Sequence, residues 1–99
     1  MTEPEALFLQ LSEECVEVSH RVSKLLRFGA GEIEEGNTVE TNLERLRYEI
    51  NDMLAVLKIL EDRKLVVPAN AFTFQRHCDA KEAKVNKYMR YSKELGIIT

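Results

Sequence analysis

A chain of 99 residues builds one small domain with a thin core, since a domain near this size hides roughly two-thirds of its unfolded surface. Apolar residues at 44% and charged residues at 31% exclude a disordered chain, and a net charge of −3 argues against a protein that binds polymeric nucleic acid. No stretch approaches the ~20 apolar residues of a membrane span, the start Met1-Thr2-Glu3-Pro4-Glu5 is unlike a signal peptide, and Cys15 and Cys78 fit no zinc spacing. The expectation is a cytoplasmic protein with two free thiols.

With only two prolines and four glycines the chain favours long helices, and the whole of 1–99 reads as a single all-α domain of three main helices. The first is expected from about Pro4 to Arg27, where Leu11, Cys15, Val18, Val22 and Leu25 recur at spacings of four and three. Thr2 can cap it, Glu3 and Glu5 complement its dipole, and Gly29 ends it. Residues 29–38 hold three glycines among Glu32, Glu34 and Glu35 and read as a mobile surface loop. The second helix starts near Thr38 or Thr41, the latter having capping-box spacing to Glu44, and runs to about Arg63. Its stripe is Leu43, Leu46, Ile50, Met53, Leu57 and Leu60. Pro68 interrupts the pattern, and Asn70 can cap a third helix. That helix covers about Gln75 to Leu95 and closes at Gly96, with Ala71-Phe72-Thr73-Phe74 either a helical turn or an extended connector.

Charge is unevenly placed along these elements. Acids crowd into residues 3–17 and 32–52, while Arg76, Lys81, Lys84, Lys87, Arg90 and Lys93 dominate the third helix. Glu13, Glu14 and Glu17 share one stretch of the first helix, and Glu49 and Asp52 lie three apart on the second. Glu14 sits in one column with Leu11 and Val18, and Glu49 with Leu46 and Met53. Antiparallel packing of the two helices therefore gathers carboxylates beside the surfaces that each helix buries. Burying them unpaired costs several kcal/mol, and a hard divalent cation such as Mg²⁺, which prefers oxygen ligands, relieves that cost. A solvated acidic helix face is the competing reading of any one of these acids.

The run Glu13-Glu14-Cys15-Val16-Glu17 together with Glu49-Ile50-Asn51-Asp52 resembles the EExxE and ExxD helices of MazG-like all-α nucleoside triphosphate pyrophosphohydrolases. The run from Ser23 to Gly29 and that from Lys84 to Met89 are similar to the short stand-alone bacterial and phage members, so the resemblance spans roughly residues 7–96. It implies that Glu14, Glu17, Glu49 and Asp52 hold Mg²⁺. The implied reaction is hydrolysis of a nucleoside triphosphate between its α- and β-phosphates, giving the monophosphate and pyrophosphate. Thirty-one residues separate Glu17 from Glu49, long for the family, and the glycine-containing loop absorbs the excess. Glu13 points about 100° away from Glu14 and is a candidate to orient the attacking water or to hold a second metal ion, or is simply an exposed acid.

Candidate phosphate contacts come from the cations. Lys24 lies seven residues after Glu17 and Arg27 one turn further. Lys81 interrupts the otherwise apolar column Phe74, Cys78, Val85 and Tyr88, so it calls for an anion, either a substrate phosphate or a carboxylate of the site. Lys84 is a weaker candidate of the same kind. Asn51, between the two acids of the second helix, is a candidate for base or sugar recognition against the plainer reading of a solvated amide. A thin three-helix core and the stripes of the first two helices lead us to expect a homo-oligomer, dimer or tetramer, in which an antiparallel pair forms a four-helix bundle with a partner chain. Two alternatives share these residues: a non-catalytic nucleotide and Mg²⁺ sensor, and a helical-bundle protein-interaction module.

Overall fold

The computed structural model describes residues 1–36 and 39–99. It contains three helices, α1 (Glu3–Phe28), α2 (Asn42–Asp62) and α3 (Ala71–Glu94), and among the described residues no strand beyond an isolated antiparallel bridge between Ile33 and Thr41. The chain read as one domain divides into two units, residues 1–67 and 68–99.

Local chemistry explains where each helix begins and ends. Thr2 and Thr41 both form complete capping boxes, each hydroxyl accepting from the backbone three residues on while Glu5 or Glu44 reaches back to the cap N–H. The alternative start at Thr38 lies outside the described residues. Asn70 caps α3 by accepting from Thr73 N–H, which settles Ala71–Phe74 as the first helical turn rather than an extended connector. Gly29 ends α1 at φ 98°, a left-handed conformation open to glycine, and donates its N–H to Leu25 O. α2 stops before Pro68 is reached, with Lys64 at φ 60°.

Helices α1 and α2 pack against each other along their lengths. Their order is antiparallel. Glu3 meets Arg63 at 3.5 Å, Cys15 Sγ lies 3.8 Å from Met53 Sδ, and Lys24 and Arg45 share one acid, so rising numbers on α1 face falling numbers on α2. The apolar heart of this seam is small: Val56 and Leu60 are its buried apolar residues. Full burial of a leucine such as Leu60 contributes roughly 1.5–3 kcal/mol.

The seam keeps most of the stripes that apolar spacing predicts, covering Leu11, Val18 and Leu25 on α1 and Leu46, Ile50, Met53, Leu57 and Leu60 on α2, and departs from them at Cys15, Val22 and Leu43. On α1 the more covered positions are Leu7, Leu11, Glu14, Val18, Arg21, Lys24 and Leu25, so Glu14 and Arg21 take the packing face where Cys15 and Val22 stay exposed. On α2 Val56 is buried while Leu43 is 57% exposed. The reason is geometric. Apolar residues occupy two neighbouring columns on each helix, and a two-helix seam covers one of them, which here includes charged positions. Phe8, Val22, Leu43 and Leu54 remain outside it.

The α1–α2 connection is held by polar contacts. Asn42 is buried, its amide donating to Gly29 O at 3.0 Å and to Glu32 Oε2 at 2.6 Å, while its backbone N–H donates to Glu32 O at 3.0 Å. Helix α3, described by itself, has no buried residue; Phe72, Phe74, Tyr88 and Leu95 are all more than half exposed.

Replacing Asn42 with alanine removes the side-chain donor to Gly29 O and to Glu32 Oε2, leaving Gly29 O only the longer bond from Glu32 N–H at 3.4 Å. The expected loss is about 1–3 kcal/mol of unfolding free energy. Denaturant unfolding checks this against Asn51→Ala, an exposed control expected to stay within about 0.5 kcal/mol.

Candidate metal centre

The antiparallel register that sets Cys15 beside Met53 also sets Glu14 opposite the Glu49 turn. Carboxylate oxygens of Glu14, Glu49 and Asp52 all lie within 4.8 Å of one another, contributed by one residue of α1 and two of α2. Glu14 and Glu49 are half-buried at the seam and Asp52 is exposed at its edge. Gln10 Nε2 donates to Glu14 Oε1 at 2.8 Å, one turn earlier on α1, which fixes that carboxylate's orientation. Among the described residues no lysine, arginine or histidine pairs with any of the three. Three like charges gathered without a cation repel one another. A set of hard oxygen donors with nitrogen and sulfur ligands absent is the chemistry that Mg²⁺, Mn²⁺ or Ca²⁺ accepts and zinc does not favour.

Glu17, the fourth expected ligand, is exposed and lies outside this group. Glu13 is exposed on the same stretch of α1. Asn51 is exposed, and its Oδ1 accepts from Arg47 at 3.4 Å along α2. Lys81 lines a shallow groove of about 500 Å³ with Phe74, His77, Cys78, Glu82 and Val85, all on α3, and Lys84 is exposed on that helix.

A cluster of opposite sign occupies the next stretch of the seam. Glu34, from the connection between α1 and α2, accepts from Arg45 and, at 3.1 Å, from Lys24; Arg21 Nη1 lies 4.0 Å from the same carboxylate. Lys24, expected at phosphate, is thus engaged by Glu34. Arg27 lines an adjoining cleft of about 620 Å³ with His20, Ser23, Lys24, Phe28 and Glu34. The hydrogen bond from Arg45, then that from Lys24 and its charge, hold the Glu34 carboxyl below the usual carboxylate range.

Arg21, Glu34, Arg45 and Asn42 escape a reading of apolar periodicity. Arg21 had one available signal: it falls seven residues after Glu14, in the heptad column of Leu7, Leu11, Val18 and Leu25. Glu34 had none, because its three cations come from two helices and it comes from the segment between them. Compared with models of known protein families, with characterised proteins and with solved structures, the chain finds no match.

These charges lead to two measurements. Glu14→Gln, Glu49→Gln and Asp52→Asn should each weaken Mn²⁺ or Mg²⁺ binding, read by calorimetry, while raising the melting temperature in metal-free buffer because repulsion falls. A Glu49→Gln protein that binds metal as wild type does would remove that residue from the site. For Glu34 the lowered folded pKa makes its ion cluster stabilising at neutral pH. That contribution is complete above the ordinary value of 4.5 and is lost as pH falls through the lowered folded value. Hydrogen exchange of the 29–36 amides should therefore accelerate in that acidic window in wild type and show no such step in Glu34→Gln.

Proposed function

We propose that this chain is a Mg²⁺-dependent hydrolase that converts a nucleoside triphosphate into the monophosphate and pyrophosphate. The observation carrying the reading is the convergence of Glu14, Glu49 and Asp52 across the α1–α2 seam, at the positions where the EExxE and ExxD resemblance requires ligands. Donor chemistry fits a hard divalent cation, and nothing else among the described residues neutralises the three acids. Glu17 takes the fourth position on the strength of the resemblance.

A bound Mg²⁺ supplies charge neutralisation between these carboxylates and a triphosphate that is itself strongly anionic. The chain's residues supply the rest. Glu14, Glu49 and Asp52 define where the phosphates sit, and Glu13 orients water toward the α-phosphorus. The water oxygen bonds to that phosphorus, the bridging P–O bond to the β-phosphate breaks, and the proton passes through Glu13 to solvent. Arg27 faces the cleft beside Lys24 and offers its guanidinium to phosphate oxygens leaving the carboxylates.

The active form is a homo-oligomer in this reading. Phe8, Cys15 and Val22 repeat every seven residues on α1 and stay exposed, as do Leu43 and Leu54 on α2. A second copy packed on these columns makes the four-helix bundle. The exposed column of α3 adds Phe74, Cys78, Val85 and Tyr88, where Lys81 is assigned to phosphate. A sensor that binds nucleotide and Mg²⁺ without turnover would use the same acids, and product formation separates the two.

A panel of ribo- and deoxyribonucleoside triphosphates with Mg²⁺ should yield monophosphate and pyrophosphate from at least one member, and no diphosphate. Orthophosphate as the sole inorganic product, with contaminating pyrophosphatase excluded, would point to another reaction. Lys81→Met should cost about 1.5–3 kcal/mol in kcat/KM with an unchanged ligand-free melting temperature. A destabilised variant with normal turnover would move the phosphate role to Lys84. Sedimentation at micromolar concentration should show at least a dimer, and an active compact monomer would reject the bundle.

A further inference from the structure

Three cations converge on one carboxylate at Glu34, and they are short of acceptors. Arg21 is only 7% exposed, yet its Nε and Nη1 are buried with no hydrogen-bond partner among the described residues. At 4.0 Å from Glu34 Oε2, Nη1 is within ion-pair range and beyond hydrogen-bond range. A guanidinium stays charged and carries five donors in a planar fork suited to carboxylate or phosphate. Buried donors without acceptors are rare in folded proteins and call for an explanation. Glu34 spends one oxygen on Lys24 and the other on Arg45, leaving Arg21 unsatisfied.

Position adds a second argument. Arg45 precedes Glu49 by one turn of α2, and Arg21 comes two turns after Glu14 on α1, about 6 and 10.5 Å of helix rise. The cation cluster and the acid cluster thus neighbour each other along one seam. The adjoining cleft is lined by Lys24, Arg27 and Glu34, so an anion entering it meets Lys24 and the Glu34 carboxylate first, and Arg21 and Arg45 stand behind that carboxylate.

We propose that Arg21, Lys24 and Arg45 form an oxyanion site for a polyphosphate chain, and that Glu34 is its built-in competitor. Without ligand the Glu34 carboxylate fills the site. A phosphoryl group, which brings more acceptor oxygens than a carboxylate, displaces that side chain and reaches the unpaired Arg21 donors. The polyphosphate class rests on the hydrolase reading above, whereas the competition with Glu34 does not. An internal competitor lowers apparent affinity by the fraction of protein in which it holds the site, so removing its charge should tighten binding.

The test uses inorganic tripolyphosphate in EDTA, which keeps divalent metal and hence the acid cluster's ligand role out of the measurement. By calorimetry Glu34→Gln should bind at least about fivefold more tightly than wild type, the lower end of ordinary coupling between sites. Asn42 keeps the connection tied to α2 in that variant. Lys24→Met should weaken binding whether Glu34 is present or replaced. Glu34→Gln binding no tighter than wild type would overturn the proposal. Should that variant fail to fold, the wild-type protein decides by NMR titration. Arg21 and Arg45 side-chain N–H signals that shift with tripolyphosphate support the site, and signals that stay fixed at saturation reject it. Unchanged competition with no turnover strikes the hydrolase reading alone. Normal Mg²⁺-dependent turnover with no tightening in Glu34→Gln strikes this proposal alone.

Discussion

Charged residues set into the α1–α2 seam constrain everything else in residues 1–67. Glu14 and Arg21 occupy positions on α1 that a simple helical hairpin fills with leucine or valine, and Glu49 and Arg45 do the same on α2. Taking such groups partly out of water costs several kcal/mol each unless an opposite charge or a ligand meets them. The helix pair meets that cost in two different ways. At the cationic end it bends the connecting segment back, so that Glu34 sits among Arg21, Lys24 and Arg45. At the acidic end the described residues provide no counter-charge.

That asymmetry separates paired from unpaired charge among the described residues. An ion cluster whose members are all present can be understood as an anchor for the connection, which otherwise has few apolar side chains to hold it. Glu14, Glu49 and Asp52, within 4.8 Å of one another, have no such partner among the described residues, and on that the metal proposal rests. Arg21 stands between these cases, being paired in charge but unpaired in hydrogen bonds. If the proposed oxyanion site is correct, stability and binding oppose each other along one seam, because Glu34 occupies the groups that the anion takes.

The thin core has the same origin. Each charged position in the seam displaces an apolar side chain, leaving Val56 and Leu60 as its buried apolar residues and large apolar groups such as Leu26 and Leu43 exposed. Two neighbouring apolar columns on a helix serve two partners. One column is used by the intramolecular pair and the other stays available, which is the physical basis for the oligomeric proposal. Helix α3 carries the same amphipathic pattern with six cations against three acids over residues 68–99, and it buries none of it within the chain.

Local sequence was enough to place the three helices, while it allows two readings each for the start of α2 at Thr41 and of α3 at Asn70. Thr2 with Glu5, Thr41 with Glu44, Gly29 and Asn70 act on the backbone within a few residues, so their effects are written in short stretches of chain. The pairing of Glu14 with Glu49 and Asp52 was also legible, because spacings of three and four place residues on one face and two such faces invite a shared cation. Which column would be covered was legible on α2, where Leu46, Ile50, Met53, Leu57 and Leu60 are covered as expected, and only partly on α1. Glu14 was expected beside the buried surface, but Cys15 and Val22 are as apolar as the residues they flank, and only the docked helix decides that they stay exposed while Arg21 faces inward. The place of Glu17 outside the acid group, the burial of Asn42, and the capture of Lys24 by Glu34 belong to the same class. Each depends on how segments 10 or more residues apart meet within hydrogen-bond or ion-pair distance. Periodicity carries direction around a helix axis but no distance between elements, and those distances exist only once the chain has folded.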